Sequence, residues 1–328
     1  MEIQDRIGEN QKTIDDEEKL YHEIINHWET IPRIPKNEEV INALNPLPFN
    51  PSDTPPHMFD SSREKDMLFE QITTEIKCKF PFYMLPRWFA ARKANTMIDS
   101  EWAKKEQNLK ETYERHLEAY ELKVADGKKE WDKTEQERIR RLQAILDRNL
   151  SEIHAASIEL IQTIHFPYET SCDIHVDDDA ILYIHLDLPE IEDVIPTHRK
   201  TVFKNANIKE IKIDKLARNR DYFNLVIGQS VLIACTLCSA LPSVPSVHIA
   251  AYTQRKRRTE FDATDTYVYD IIFPREKLSI FNPEKTSLQQ FISNLHPVMD
   301  ITGDMHLSAI QPPGWIKQVS KINESANK

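Results

Sequence analysis

Glu210 and Lys212, in Glu210-Ile211-Lys212, have the Glu-x-Lys form found on a strand of many metal-dependent nucleases. That chemistry needs an upstream Asp to share the ion with the Glu, and a Lys to orient the attacking water. Asp187 or Asp193 stands upstream to serve as the Asp. In a chain this rich in charge, three such residues also fall together by chance. The pattern is therefore a weak catalytic candidate.

Other residue groups weigh less. Asp177, Asp178 and Asp179 could hold a divalent ion, but the calcium-loop spacing is absent, and a solvated turn is the better reading. His175 and His185 could face each other across a hairpin and, with Asp173 or Asp187, hold zinc. Opposing polar residues on a strand face are commoner. Cys235-x-x-Cys238 has zinc or redox spacing, yet it lies in an apolar run with no second pair and no nearby His, so core cysteines are expected. Ser230 lies in the same run and makes no nucleophile turn. Only five glycines occur, and neither GxGxxG nor GxxxxGK[ST] is present, which argues against a phosphate-cradling loop. No metal and no cofactor is expected.

Two charged surfaces stand out for binding. Arg255, Lys256, Arg257 and Arg258 form a basic turn able to grip phosphate or dock on an acidic protein surface. Glu190, Glu192 and Asp193 form an acidic loop between Pro189 and Pro196. From Ser171 to Pro196 the carboxylates meet no Lys or Arg. The whole chain carries a formal charge of −11, which disfavours general nucleic-acid binding and leaves only the local basic turn for it.

The elements that would position these residues centre on Tyr222 to Leu241. Those twenty residues carry no charge, and apolar or small side chains fall on every face. The run is too polar at Gly228-Gln229-Ser230 for a membrane span and too long for a strand, which predicts a buried helix laid against a sheet. Strands are expected at 172–176 and 181–187 as a hairpin around the acidic turn, as one strand or a pair at 201–212, at 247–252, at 267–273 and near 305–310. A short helix is expected near 288–295.

The N-terminal part reads differently. Leu20, Ile24, Ile25 and Trp28 recur at helical spacing within 12–30. Seven prolines between 31 and 59 then predict a strap lying along another surface. Helix resumes at Ser61 or Ser62, and Phe80 to Pro86 reads as a packed elbow. From Trp88 to Ile164 almost nothing stops a helix, and no proline occurs between Pro86 and Pro167. Leu109, Tyr113, Leu117, Tyr120, Val124 and Trp131 form a near-heptad seam that continues through Ile139, Leu142 and Leu150. Gly127 marks either a hairpin turn or a close approach within one long helix. The seam requires a cover, from this chain or a second copy. The fold class expected is α+β: an extended, coiled-coil-like helical arm, then an α+β domain with a largely antiparallel sheet packed on a buried helix. The division expected is 1–60, 61–168 and 169–320.

The succession LYIHLDLPEIEDVIP at 182–196, DYFNLVIGQSVLIACTLCSALPSVPSVHIAAYT at 221–253 and YVYDIIFPREKLSIFN at 267–282 resembles the module preceding the catalytic domain in some bacterial Mrr-type restriction endonucleases. The preceding helix, with Tyr120 and Trp131, resembles the region upstream of that module. In that family the cleaving residues lie in a separate, later domain, and no such domain is expected in these 328 residues. The resemblance implies a helper near DNA restriction or phage defence, and no catalytic residue is carried over. The expectation is a non-catalytic interaction protein, with a metal-dependent nuclease or a nucleic-acid-binding adaptor as alternatives. Its partner would be a protein or a second copy met through the helical arm, with no membrane. MEIQDRIGENQK has no apolar run, so no signal peptide and a cytoplasmic location are expected.

Overall fold

A computed structural model describes residues 2–79, 87–203, 207–255 and 264–316. The chain opens with α1 (Glu2–Ile25), a 3-10 turn (His27–Thr30), α2 (Asn37–Asn42), α3 (Ser61–Lys79), α4 (Arg87–Leu146) and α5 (Leu150–Thr163). There follow β1 (Cys172–Val176), β2 (Leu182–Leu188), α6 (Ile191–Val194), β3 (His198–Val202), β4 (Ile208–Lys212) and α7 (Lys215–Ala240). The last elements are β5 (Ser246–Arg255), β6 (Thr264–Pro274), α8 (Arg275–Ile280), α9 (Leu288–Ser293), β7 (Val298–Ile301) and β8 (Leu307–Ser308). This is a mixed α+β architecture with one long helix and a mixed sheet. The expected elbow at Phe80 to Pro86 lies outside the described residues.

Two compact units divide the chain: residues 1–45 with 140–328, and residues 46–139. That grouping cuts across the three-part division expected from composition. The first helices and residues 31–45 group with the sheet unit, while the rest of the proline-rich strap groups with α3 and most of the long helix.

In the larger unit the sheet order is β1-β2-β5-β6-β7-β8. β2 and β5 are parallel, and the other neighbours are antiparallel. The crossover from β2 to β5 contains α7, whose apolar surface packs on the inner sheet face. Leu182, Ile184, Leu186 and Leu188 alternate inward with no more than 4 % exposure, the period expected of a strand with one covered face. α7 is long and apolar enough to cross a bilayer by length and composition, but 78 % of its apolar window is buried in the fold. Asp214 caps its start, accepting from the Leu216 and Ala217 N–H groups. Arg275 holds its end, donating to the Cys238 and Leu241 carbonyls. Inside, the Tyr269 hydroxyl donates to the Val226 carbonyl at 3.0 Å and pairs with Ser230 at 2.8 Å, which explains a serine in an apolar helix.

The expected uninterrupted helix from Trp88 to Ile164 is two helices. α4 runs straight through Gly127, so the chain does not turn there. It turns at Arg148, whose φ is 58°. Arg148 N–H bonds to the Ile145 carbonyl and Asn149 N–H to the Ala144 carbonyl, a Schellman closure with Arg148 in the left-handed position usually held by glycine. The Asn149 side chain then accepts from Glu152 N–H and starts α5. α5 folds back, so that Arg140 meets Glu152 and Arg141 meets Glu159.

In the smaller unit the strap and α3 run antiparallel along α4. The Leu47 N–H meets Glu135 at 2.8 Å, Phe49 lies beside Trp131, and the Tyr120 hydroxyl reaches the Asp53 carbonyl at 3.4 Å. Farther along, Glu64 pairs with Lys105 and Lys65 with Asp99, and Ile76 packs with Ala94. The strap therefore meets the α4 seam at Tyr120 and Trp131. A Cβ at Gly127 would stand 3.7 Å from Phe49 Cζ, an ordinary contact, so the strap's approach there does not require a glycine.

Candidate functional site

β3 and β4 form a two-stranded ribbon separate from the six-stranded sheet. Its register pairs Lys200 with Glu210 and His198 with Lys212. Every residue of β4 is exposed, Glu210 and Lys212 included. Asp187 lies on β2 in the other sheet, and Asp193 is exposed in α6. Among the described residues no group of three or more His, Cys, Asp or Glu side chains converges as an ion site. Glu-x-Lys is thus present on a strand as read, but its neighbour across the ribbon is a lysine rather than a carboxylate.

The acidic loop is tied down. Glu190 precedes α6, and Arg218 of α7 donates to the Ile191 and Ile195 carbonyls and stands 4.0 Å from Glu192. Glu192 and Asp193 remain exposed. Of the basic turn, Arg255 ends β5 in its backbone. Its side chain, and Lys256, Arg257 and Arg258, lie outside the described residues.

His175 and His185 do not face each other. The hairpin register sets His175 opposite Tyr183 and Asp173 opposite His185. The cause is the loop: the Asp177 carboxylate accepts from Asp179 and Ile181 N–H, and Ala180 takes a φ of 61°. That closure fixes the pairing two residues away from the one expected.

The same register builds a feature that sequence reasoning missed. The outer face of the sheet carries Tyr183, His185 and Asp187 on β2, His248 and Tyr252 on β5, and Tyr267 and Asp270 on β6. A bulge between Ala251 and Tyr252 brings Tyr267 to this side. The His185 ring stacks on Tyr252 at 4.1 Å, and its Nε2 hydrogen-bonds with the Tyr267 hydroxyl at 2.8 Å. Residues 310–316 lie over the face: Ile310 N–H donates to the Tyr267 carbonyl, and Trp315 Nε1 donates to Asp270 while its ring stands 5.1 Å from Tyr183. The signal was available in the alternation of Tyr, His and Asp along β2. It read only as polar residues on a strand face, because the covering segment is distant in sequence.

Burial dominates the electrostatics here. It pushes His185 and His248 below the ordinary imidazole value, against the opposing pull of Asp265 and Asp173 on the first and Asp177 on the second. It pushes the Tyr267 phenol up to about 12 and the Asp187 and Asp270 carboxyls upward. It also pushes the Cys235 and Cys238 thiols up to about 12 and about 11, far from the thiolate that metal or redox chemistry uses. A groove of about 310 Å³ between α5 and β1 is lined by Ile158, Ile161 and Ile174 with Cys172, whose thiol burial pushes up to about 12. A second, of about 290 Å³, lies beside Trp28, Phe223 and Arg220.

Compared with protein-family models, with curated proteins and with solved structures, the chain shows no match.

Proposed function

We propose that this chain is a non-catalytic interaction or scaffold protein. The observation that carries the reading is α4: sixty residues of continuous helix, about 90 Å at about 1.5 Å per residue, whose seam is lined by a strap and a second helix of the same chain. Such a helix supplies long charged faces to a partner. Coiled-coil self-association through the part of the arm left open belongs to the same reading. The wider setting is an accessory role in a bacterial defence or DNA-restriction assembly. It is supported by the three resembling segments, which contribute β2, α7, β5 and β6 to one core.

Light scattering on the purified chain, affinity capture from its own cells and incubation with DNA and magnesium test the reading together. A stable complex or a mass above the monomer, with DNA left intact, is the expected result. A lone monomer that degrades DNA with magnesium, and loses that activity in Glu210→Ala, overturns it in favour of the nuclease.

A further inference from the structure

We propose that the outward face of the β3–β4 ribbon docks an acidic, amphipathic segment of a partner protein, an inference that rests on the interaction reading and names the chemistry of its partner. Cross-strand pairs share a face, and faces alternate along a strand. The register therefore puts Lys200, Glu210, Val202 and Ile208 on one side, and Arg199, Ile211, Thr201 and Lys209 on the other, with Phe203 following. The first side meets α1: Lys200 Nζ stands 2.9 Å from Glu17 Oε2, in the acidic stretch Asp15 to Glu18. The ribbon thus already accepts one acidic helix from its own chain.

The other side has no such cover among the described residues. Phe203 and Ile211 are 41 % and 42 % exposed. Lys209 Nζ sits 4.8 Å over the Phe203 ring, and neither Lys209 nor Arg199 has a carboxylate partner among the described residues. The face contains no Asp or Glu at any paired position. Two cations set among exposed apolar side chains fit an occupant that brings carboxylates and apolar groups together. A nucleic-acid backbone would meet the cations and leave Ile211 in water. The charge complementarity and the α1 precedent both favour an acidic protein segment.

The test uses the full chain and a labelled synthetic peptide about four helical turns long, with Glu on one face and Leu and Phe on the other. Its Glu-to-Gln counterpart and a labelled single-stranded DNA are the comparisons. Fluorescence anisotropy should show binding of the acidic peptide alone, weakened by added salt. Arg199→Glu with Lys209→Glu should weaken it at least about tenfold, and Ile211→Ser should also weaken it. Lys200→Glu, on the side facing α1, should change it little. These residues are exposed, so the variants should melt with the parent; Arg199→Gln with Lys209→Gln serves as a milder pair. Absence of peptide binding, indifference to the charge reversals, or preference for the DNA overturns the proposal. Capture of the same partners by parent and charge-reversed chains alike removes this surface while leaving the interaction reading in place.

Discussion

Trp28 lies with its pyrrole edge against Gly228. A Cβ on that glycine would stand 2.2 Å from Trp28 Cδ1 and 2.4 Å from Cγ, closer than any real contact. Trp28 is 5 % exposed and stacks toward Phe281, which stacks in turn on Phe291. His27 beside it pairs with Gln229 at 2.6 Å. One missing methyl group thus lets the N-terminal segment seat on the buried helix. Gly228→Ala should expel the indole and destabilise the larger unit by about 2–4 kcal/mol, in the range of overpacking plus lost aromatic burial. Urea unfolding followed by tryptophan emission should show the loss together with a red shift. In a Trp28→Ala background the same substitution should cost much less, and equal costs in the two backgrounds would exclude the contact as the cause.

Arg148 gives a prediction of opposite sign. A non-glycine residue in the left-handed region carries strain of about 1 kcal/mol. Arg148→Gly should leave stability unchanged or raise it by up to about 1 kcal/mol, because relief of strain outweighs the added freedom of the unfolded chain. Arg148→Ile should lower it by about 1–2 kcal/mol, since a β-branched side chain fits that backbone worst. Thermal melts of both variants decide it, and a stabilising isoleucine would contradict the closure described for α4.

These two sites also show what the sequence could and could not reveal. The twenty uncharged residues from Tyr222 made α7 legible, and the Asp177 turn made the β1–β2 hairpin legible. Gly127 left both a turn and a helical position open and is helical, whereas Arg148, which carries no turn signature, is the turn. Helix closure there depends on α5 folding back through Arg140 and Arg141, a tertiary effect that overrides local preference. The hairpin register hung on one Asp177 side chain, so its strands were readable and their pairing was not. β7 and α8 were missed because each is too brief to show a period, whereas β8 falls within the strand expected near 305–310. Glu210-x-Lys212 was found on a strand, but sequence alone could not place that strand in a ribbon apart from the sheet carrying Asp187.

The outer sheet face makes stability depend on pH. Unfolding returns His185 and His248 to an ordinary value of about 6.5, above their values in the fold. Between those values the unfolded chain binds more protons, so stability rises with pH there and levels off above about pH 7. Acid should therefore weaken the fold as pH falls below about 6.5. Replacing both histidines with glutamine should flatten this part of the profile, measured by urea midpoints from pH 5 to pH 8. An unchanged slope would assign the dependence to other groups.

Glu135 fastens the strap, and its removal should free the strap selectively. Only 6 % exposed, it accepts from Arg138 Nη2 at 2.7 Å and Nε at 2.8 Å, and from the Leu47 N–H at 2.8 Å. The Arg138 guanidinium, then the Leu47 N–H, hold its carboxyl down to about 2. A carboxyl lower in the fold than in the unfolded chain stabilises above its ordinary value, and that contribution fades as pH falls toward 2. Glu135→Ala removes both contacts, while Glu135→Gln keeps an acceptor for Leu47 but loses the charge facing Arg138. Limited proteolysis at neutral pH should cut residues 46–56 fastest in Glu135→Ala, more slowly in Glu135→Gln and slowest in the parent. An acid-stable protease at about pH 3 should narrow the gap, because the parent then begins to lose the same anchor. Equal cleavage of all three chains at neutral pH would show that the prolines and Phe49 hold the strap without Glu135.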